Sequence, residues 1–180
     1  MQTRTITRTA FLIAVCVVLG YIFMPVPNIE MITAGIFIAG VWMGPRLGIF
    51  IGIVAEAIFS LLNPMGFPPP PLLLSQIIAM SLTGCVGGLF RKMLIERQFF
   101  SIKSWTTHAL LGLAGFLLTS IYDFLTNISF PLAAGFDLEQ IRITLVMGLP
   151  FAITHIGVNT VIFILVVPAF LQRVKAWRSL

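Results

Sequence analysis

Six apolar segments, separated by proline, glycine and charged residues, constrain the fold of this chain more than any other feature. A membrane-spanning helix needs about 20 predominantly apolar residues. Hydrophobic residues make up 58% of the chain and charged residues only 9%, against about 25% charged residues in soluble proteins. The sequence predicts one all-α integral membrane domain, a six-transmembrane-helix bundle over residues 1–180. The predicted spans are residues 6–24, 29–43, 47–62, 71–90, 105–125 and 141–171.

Basic residues predict how the bundle is oriented, because Lys and Arg are enriched in cytoplasmic loops. With six spans and the N-terminus inside, ten of the 11 Lys and Arg residues are cytoplasmic, and Arg142 is outside. Both termini are therefore predicted to be cytoplasmic. Span 2 is short for a crossing, so we expect it to be tilted or shielded by its neighbours. The ten predicted cytoplasmic residues are Arg4, Arg8, Arg46, Arg91, Lys92, Arg97, Lys103, Arg173, Lys175 and Arg178.

Span 3 carries an acidic residue, Glu56, in the middle of an apolar helix. Gly48, Gly52, Glu56 and Ser60 recur every four residues, which places them on one helix face. Small residues at this spacing let another helix approach closely, so Glu56 is predicted to point into a helix interface. A carboxylate inside a membrane normally faces a protein interior or a water-filled cavity. Two roles remain open for Glu56: ligand contact or gating, and an acid that holds helices together.

Other polar residues lie in the predicted outer half of the bundle. Asp123 is near the outer end of span 5, and His155 lies in span 6. The stretch 126–140 is predicted to be an external loop that begins near Asn127. Polar groups that converge in this way indicate an outward-facing pocket for a small molecule with hydrogen-bonding groups. The candidate binding residues are Asn28, Glu30, Glu56, Asn63, Gln76, Tyr122, Asp123, Asn127 and His155.

Several of these candidates have an equally simple structural interpretation. Asn28 and Glu30 either line the mouth of the pocket or cap span 2. Asn63 either contacts a ligand or starts the Asn-Pro turn that follows span 3. His155 is compatible with a packed histidine bonded to a neighbouring helix. The glycine residues of spans 3 to 5 are interpreted as packing positions.

No catalytic or metal-binding motif is found in the sequence. His108 and His155 have no HExxH spacing, and Cys16 and Cys85 have no CxxC spacing. The nucleotide-binding motif GxxxxGK[ST] is also missing. The net charge of +5 comes from basic residues that flank membrane spans, and this does not indicate nucleic-acid binding. We therefore expect neither an enzyme nor a protein with a metal or cofactor.

Three sequence segments resemble one family of membrane proteins. They are Arg8–Ala14 (RTAFLIA), Gly44–Gly48 (GPRLG) and Tyr122–Asn127 (YDFLTN). Together with six spans in 180 residues, they resemble the substrate-binding S components of energy-coupling factor (ECF) transporters. S components carry an Ala-x-x-x-Ala motif in span 1 that docks on the transmembrane coupling (T) subunit. Ala10 and Ala14 match this motif at the predicted cytoplasmic end.

The resemblance implies a high-affinity binder of a vitamin or related micronutrient in the plasma membrane of a prokaryote. It would work with a T subunit and two cytoplasmic ATPases, which fits the missing nucleotide-binding motif. The loop after span 1 and the proline-rich loop between spans 3 and 4 would act as lids. The predicted pocket has two acids, Glu56 and Asp123, and Arg142 is the only basic residue predicted to be external. We therefore expect a neutral, cationic, or hydroxyl- and amide-bearing ligand. The missing N-terminal metal-binding histidine argues against a nickel or cobalt carrier.

An alternative function stays open. The chain could act alone as a six-span proton-coupled carrier in which Glu56 is the titrating group. Transport by the purified chain in liposomes, driven by a pH gradient and abolished by Glu56→Gln, would decide for this alternative.

Overall fold

The computed structural model describes residues 3–97, 99 and 101–178, with side chains described up to residue 173. These residues form six α-helices and no strand. The side chains of Lys175 and Arg178, predicted to be cytoplasmic, lie outside the described part. A π-helical turn, Lys92–Glu96, extends the fourth helix. The helices are α1 (Thr3–Phe23), α2 (Ile32–Met43), α3 (Pro45–Leu61), α4 (Pro70–Arg91), α5 (Trp105–Ala133) and α6 (Leu138–Arg178).

Four of the described helices, α1, α4 with its π-helical turn, α5 and α6, are long and apolar enough to cross a membrane. α2 has only 12 residues, about 18 Å at 1.5 Å per residue, which is less than the ~30 Å hydrocarbon core. Most of its residues are buried, from Ile32 to Val41, as expected for a helix shielded by its neighbours. The number of crossings and the side of the membrane that holds the termini stay predictions.

The connections between helices lie at two ends of the bundle. The loop end carries the connections 24–31, 62–69 and 134–137, and the Tyr21 hydroxyl donates to the Phe59 carbonyl there, at 3.3 Å. The opposite end, which we call the termini end, carries the α2–α3 turn, the connection from α4 to α5, the start of α1 and the end of α6. There the Arg91 guanidinium donates to the carbonyl of Trp42.

Local sequence signals set the starts of three helices. Gly44 has a φ of 90°, a left-handed conformation that glycine adopts easily, and it turns the chain directly into Pro45, the first residue of α3. The Ser104 side chain accepts a hydrogen bond from the Thr107 backbone at the start of α5. At the start of α6, Asp137 and Gln140 form a reciprocal capping box.

Glycines bring α3 and α4 into backbone contact. A Cβ added to Gly84 would overlap the carbonyl oxygen of Gly48, and one added to Gly52 would overlap the carbonyl of Met80. The interpretation of these glycines as packing positions is confirmed. As predicted from the same spacing, Glu56 lies in the interior, with 0% of its surface exposed.

The prediction that residues 126–140 form a loop was wrong. α5 continues through Pro131 to Ala133. Asn127 is therefore a helical residue, and its side-chain amide donates to the carbonyl of Asp123 at 2.7 Å. A polar side chain that bonds to its own helix in this way does not end the helix. The connection to α6 is consequently only residues 134–137.

Candidate functional site

Two neighbouring cavities open at the loop end, and Phe59 contributes to both walls. The first, of about 320 Å³, lies beside residues 24–30 of the α1–α2 loop, and we call it the acidic cavity. The second, of about 330 Å³, lies beside residues 63–69, and we call it the proline-loop cavity. The polar lining of the acidic cavity is Asn28, Glu30, Tyr122, Asp123 and His155, and that of the proline-loop cavity is Ser60, Asn63 and Gln76.

His155 connects two acids in the wall of the acidic cavity. Its Nδ1 lies 2.8 Å from Oδ1 of Asp123 on α5, and its Nε2 lies 3.5 Å from Oε1 of Glu30. Asn159, one helical turn further along α6, donates from Nδ2 to the same Glu30 oxygen at 2.8 Å. The cluster thus ties α5, α6 and the α1–α2 loop together around one imidazole.

Glu30 both caps α2 and lines the acidic cavity, two roles that the sequence presented as alternatives. Its Oε2 accepts the backbone N–H of Thr33 at 2.9 Å and so caps the start of α2, while its Oε1 faces His155 and Asn159. Burial alone would raise the pKa of Glu30, but hydrogen bonds and the charge of His155, with further hydrogen bonds from Thr33, lower that pKa below its ordinary value. Glu30 is therefore a charged group in the cavity wall.

A second polar chain runs from α3 to α5. The Ser60 hydroxyl lies 3.0 Å from Oε1 of Glu56 and 3.2 Å from Oε1 of Gln76. Nε2 of Gln76 then donates to the Tyr122 hydroxyl at 3.3 Å. The Tyr122 ring also stands edge-on to the ring of His155, with centroids 5.9 Å apart. The hydrogen-bonded side chains from α3 to α5 therefore reach His155 and the acidic cavity at Tyr122.

A sequence model of the family described as ECF transporter, substrate-specific component, matches residues 4–167. The chain belongs to this family. Searches of curated proteins and of solved structures found no match.

Family membership establishes the general role of the chain. It is a substrate-specific subunit of a transporter in the prokaryotic plasma membrane, and such S components bind substrate rather than catalyse a reaction. Members bind a small molecule and work with T and ATPase subunits in general. The four or five apolar helices of this S component fit a membrane location.

Seven of the nine residues predicted to bind substrate line the two cavities, and Glu56 and Asn127 line neither. Glu56 lies behind Ser60, which separates it from the proline-loop cavity. Asn127 lies between α5 and α6, where its side-chain oxygen would be 2.8 Å from a Cβ added to Gly148. Asn63 lines its cavity and also accepts the backbone N–H of Met65, at 2.8 Å. Whether the lining residues contact a substrate stays a prediction.

The structure adds residues that were not among the predicted site residues. Asn159 is fully buried and contacts both Glu30 and His155. Ser60 connects Glu56 to Gln76, and its place on the Glu56 face was the available signal. Phe59 lines both cavities, but an apolar residue in an apolar helix gives no sign of this in the sequence.

The arrangement suits recognition of a small molecule. The two carboxylates approach opposite nitrogens of the His155 ring, so they do not converge on one ion. Within residues 3–97, 99 and 101–173, no group of three His, Cys, Asp or Glu side chains is placed to hold a metal ion. The cluster instead presents fixed charges and hydrogen-bonding groups to a cavity that opens at the loop end. Small-molecule sites use a few such polar groups to fix the orientation of a ligand.

Proposed function

We propose that this S component is the high-affinity substrate-binding subunit of an ECF transporter that imports a vitamin or related micronutrient. The acidic cavity is the observation that supports this proposal most strongly, because it combines a volume of about 320 Å³ with three convergent ionisable groups: Glu30, Asp123 and His155. In the proposed arrangement the six helices all cross the membrane with both termini in the cytoplasm. The loop end, and the cavity in it, then face the external medium.

The charges around the cavity indicate the chemistry of the substrate. Two carboxylates, Glu30 and Asp123, share one imidazole, so the cluster stays negative even when His155 is protonated. Arg142 does not offset this charge, because 76% of its side chain is exposed and it faces Glu139 at 3.7 Å. A cationic or donor-rich neutral substrate therefore fits the acidic cavity better than a strongly anionic one.

We assign lid roles to the two loops beside the cavities. Asn28 holds a left-handed conformation, with φ of 59°, in the α1–α2 loop, and such strained residues concentrate at ligand clamps. Pro68 and Pro69 restrict the backbone of the second loop. Closure of both loops over Phe59 would enclose a substrate from two sides.

Bulky residues at Ala10 and Ala14 are predicted to prevent assembly with the T subunit and its two ATPases. Both alanines are exposed on α1, one turn apart, beside Phe11 and Val18, which are 63% and 53% exposed. Small residues at this spacing permit close helix contact, so Ala10→Trp or Ala14→Trp should reduce co-purification of the partner subunits at least tenfold. Quantitative pull-down from cells that co-express all subunits measures this loss.

Ala109→Trp on α5 provides the matched control. Ala109 is also exposed and also lies toward the termini end, so its replacement adds the same bulk to a different helix. Complex formation that is lost equally in all three variants would contradict the assignment of the α1 surface to docking.

Native mass spectrometry of the chain purified from its own cells tests the function directly. We expect a retained small molecule that is cationic or rich in hydrogen-bond donors, and that is released when the α1–α2 loop is cleaved. Reconstitution in liposomes separates this proposal from the carrier alternative. Uptake should require the T subunit, the ATPases and ATP, and uptake by the chain alone under a pH gradient would overturn it.

A further inference from the structure

With the Gln76 amide oxygen turned toward Ser60, the hydrogen bonds around Ser60 do not balance unless another proton is present. Ser60 has one hydroxyl hydrogen, yet its oxygen lies in hydrogen-bond range of two acceptor oxygens, Oε1 of Glu56 and Oε1 of Gln76. A hydroxyl donates one hydrogen and accepts others. One of the two contacts therefore needs a hydrogen from its other member, and only Glu56 can carry one on oxygen.

A protonated Glu56 completes the chain without an unmatched contact. Glu56 donates to Ser60, Ser60 donates to Gln76, and the Gln76 amide donates to the Tyr122 hydroxyl. Each contact along the chain then has one donor and one acceptor. The hydroxyl hydrogen of Tyr122 is left over at the end, with no acceptor recorded among the described residues.

The surroundings of Glu56 favour the same protonation state. Its side chain is fully buried, its Oε2 has no hydrogen-bond partner, and no Lys or Arg in the described part pairs with it. A buried ionised carboxylate without a cation or a full set of donors is strongly disfavoured. The titratable groups that interact with Glu56 are Glu30 from the α1–α2 loop and Tyr122 from α5. The negative charge of Glu30 acts directly against a second charge at Glu56.

We propose that Glu56 is a protonated positioning residue that fixes the direction of this hydrogen-bond chain. Through Ser60 and Gln76 it makes the Tyr122 hydroxyl a hydrogen-bond donor toward the substrate site. The substrate therefore presents an acceptor, such as a carbonyl oxygen or a ring nitrogen, on the side of Tyr122, and its cationic or donor-rich part toward Glu30 and Asp123. The substrate class rests on the proposed function, whereas the protonation of Glu56 does not.

Infrared spectroscopy of the purified chain, labelled with carboxyl-¹³C glutamate, tests the protonation without substrate or partner. The chain has only six acidic residues, so one protonated glutamate gives a resolvable carbonyl band at pH 7. We expect this band in the wild type and in Glu30→Gln, and its loss in Glu56→Gln. Ser60→Ala should shift the band without removing it, because the Glu56 hydroxyl loses its acceptor. A wild-type spectrum without the band would overturn the proposal.

An ionised Glu56 would require the reverse chain, with the Gln76 amide turned over and Tyr122 donating inward. Substitutions distinguish the two directions of the hydrogen-bond chain. The measurement is how much each variant retains, in native mass spectrometry, of the small molecule that the wild-type chain retains. Glu56→Gln keeps a donor toward Ser60, so we expect retention within about threefold of wild type, whereas Glu56→Leu and Tyr122→Phe should each lower it about tenfold, as for one lost hydrogen bond. Retention that falls as far in Glu56→Gln as in Glu56→Leu would contradict the donor role, whatever the infrared result.

Discussion

Replacing Gly84 with alanine is expected to destabilise the folded chain by about 3 kcal/mol, the upper end of the usual range for overpacking a core. The added Cβ would overlap the carbonyl oxygen of Gly48. This atom belongs to backbone, so it cannot rotate away as a side chain would. α3 and α4 would have to separate, which would also pull Ser60 on α3 away from Gln76 on α4. Unfolding of the purified chain in detergent, followed by its helical signal, measures the change.

Gly157→Ala is the matched control for this prediction. Gly157 is also helical, but, apart from its chain neighbours and its own helix backbone, no atom of the described residues lies within 4 Å of the position that its Cβ would take. Replacement of an unhindered helical glycine normally stabilises by about 0.5–1 kcal/mol, so the two variants should change stability in opposite directions. Equal stability of the Gly84→Ala variant and the wild type would show that α3 and α4 do not touch along this face.

Features that depend on spacing within one helix could be predicted from the sequence. The four-residue repeat of Gly48, Gly52, Glu56 and Ser60 defines one face, and that face is indeed buried against α4. The apolar composition likewise limits the fold to membrane helices. Such features follow from 3.6 residues per turn and from the cost of exposing polar backbone to lipid, both of which act locally.

Features that depend on contacts between distant segments could not be predicted. Asn159 bonds to Glu30 across 129 residues of sequence, and nothing in the sequence near Asn159 indicates that partner. The prediction of a loop over residues 126–140 was wrong for a related reason. Asn and Pro are residue types that often occur near helix ends. Here the Asn127 side-chain amide donates to the carbonyl of Asp123 within the helix. The sequence does not show which acceptor a side chain will bond to.

Removal of the His155 imidazole is expected to damage both stability and substrate binding. His155→Ala would leave the Asp123 and Glu30 carboxylates without the imidazole that they share. Loss of one member of a buried charge pair typically costs about 3–5 kcal/mol, mostly because the remaining charge is desolvated and unpaired. The folded chain should lose stability of this size, and the small molecule retained in native mass spectrometry should fall at least thirtyfold, which corresponds to about 2 kcal/mol.

His108→Ala is the matched control for the loss of a histidine. His108 is the only other histidine of the chain, and it lies near the termini end of α5, away from the acidic cavity. It should leave both measurements nearly unchanged. A double-mutant cycle then tests the cause of the His155 effect. In a Glu30→Gln, Asp123→Asn background the acids are neutral amides, so His155→Ala should lower stability by no more than about 1–2 kcal/mol, the typical cost of an unsatisfied neutral group. A stability loss that is equally large in both backgrounds would mean that His155 contributes packing volume rather than charge. That result would contradict the proposal that the acidic cavity recognises a cationic substrate.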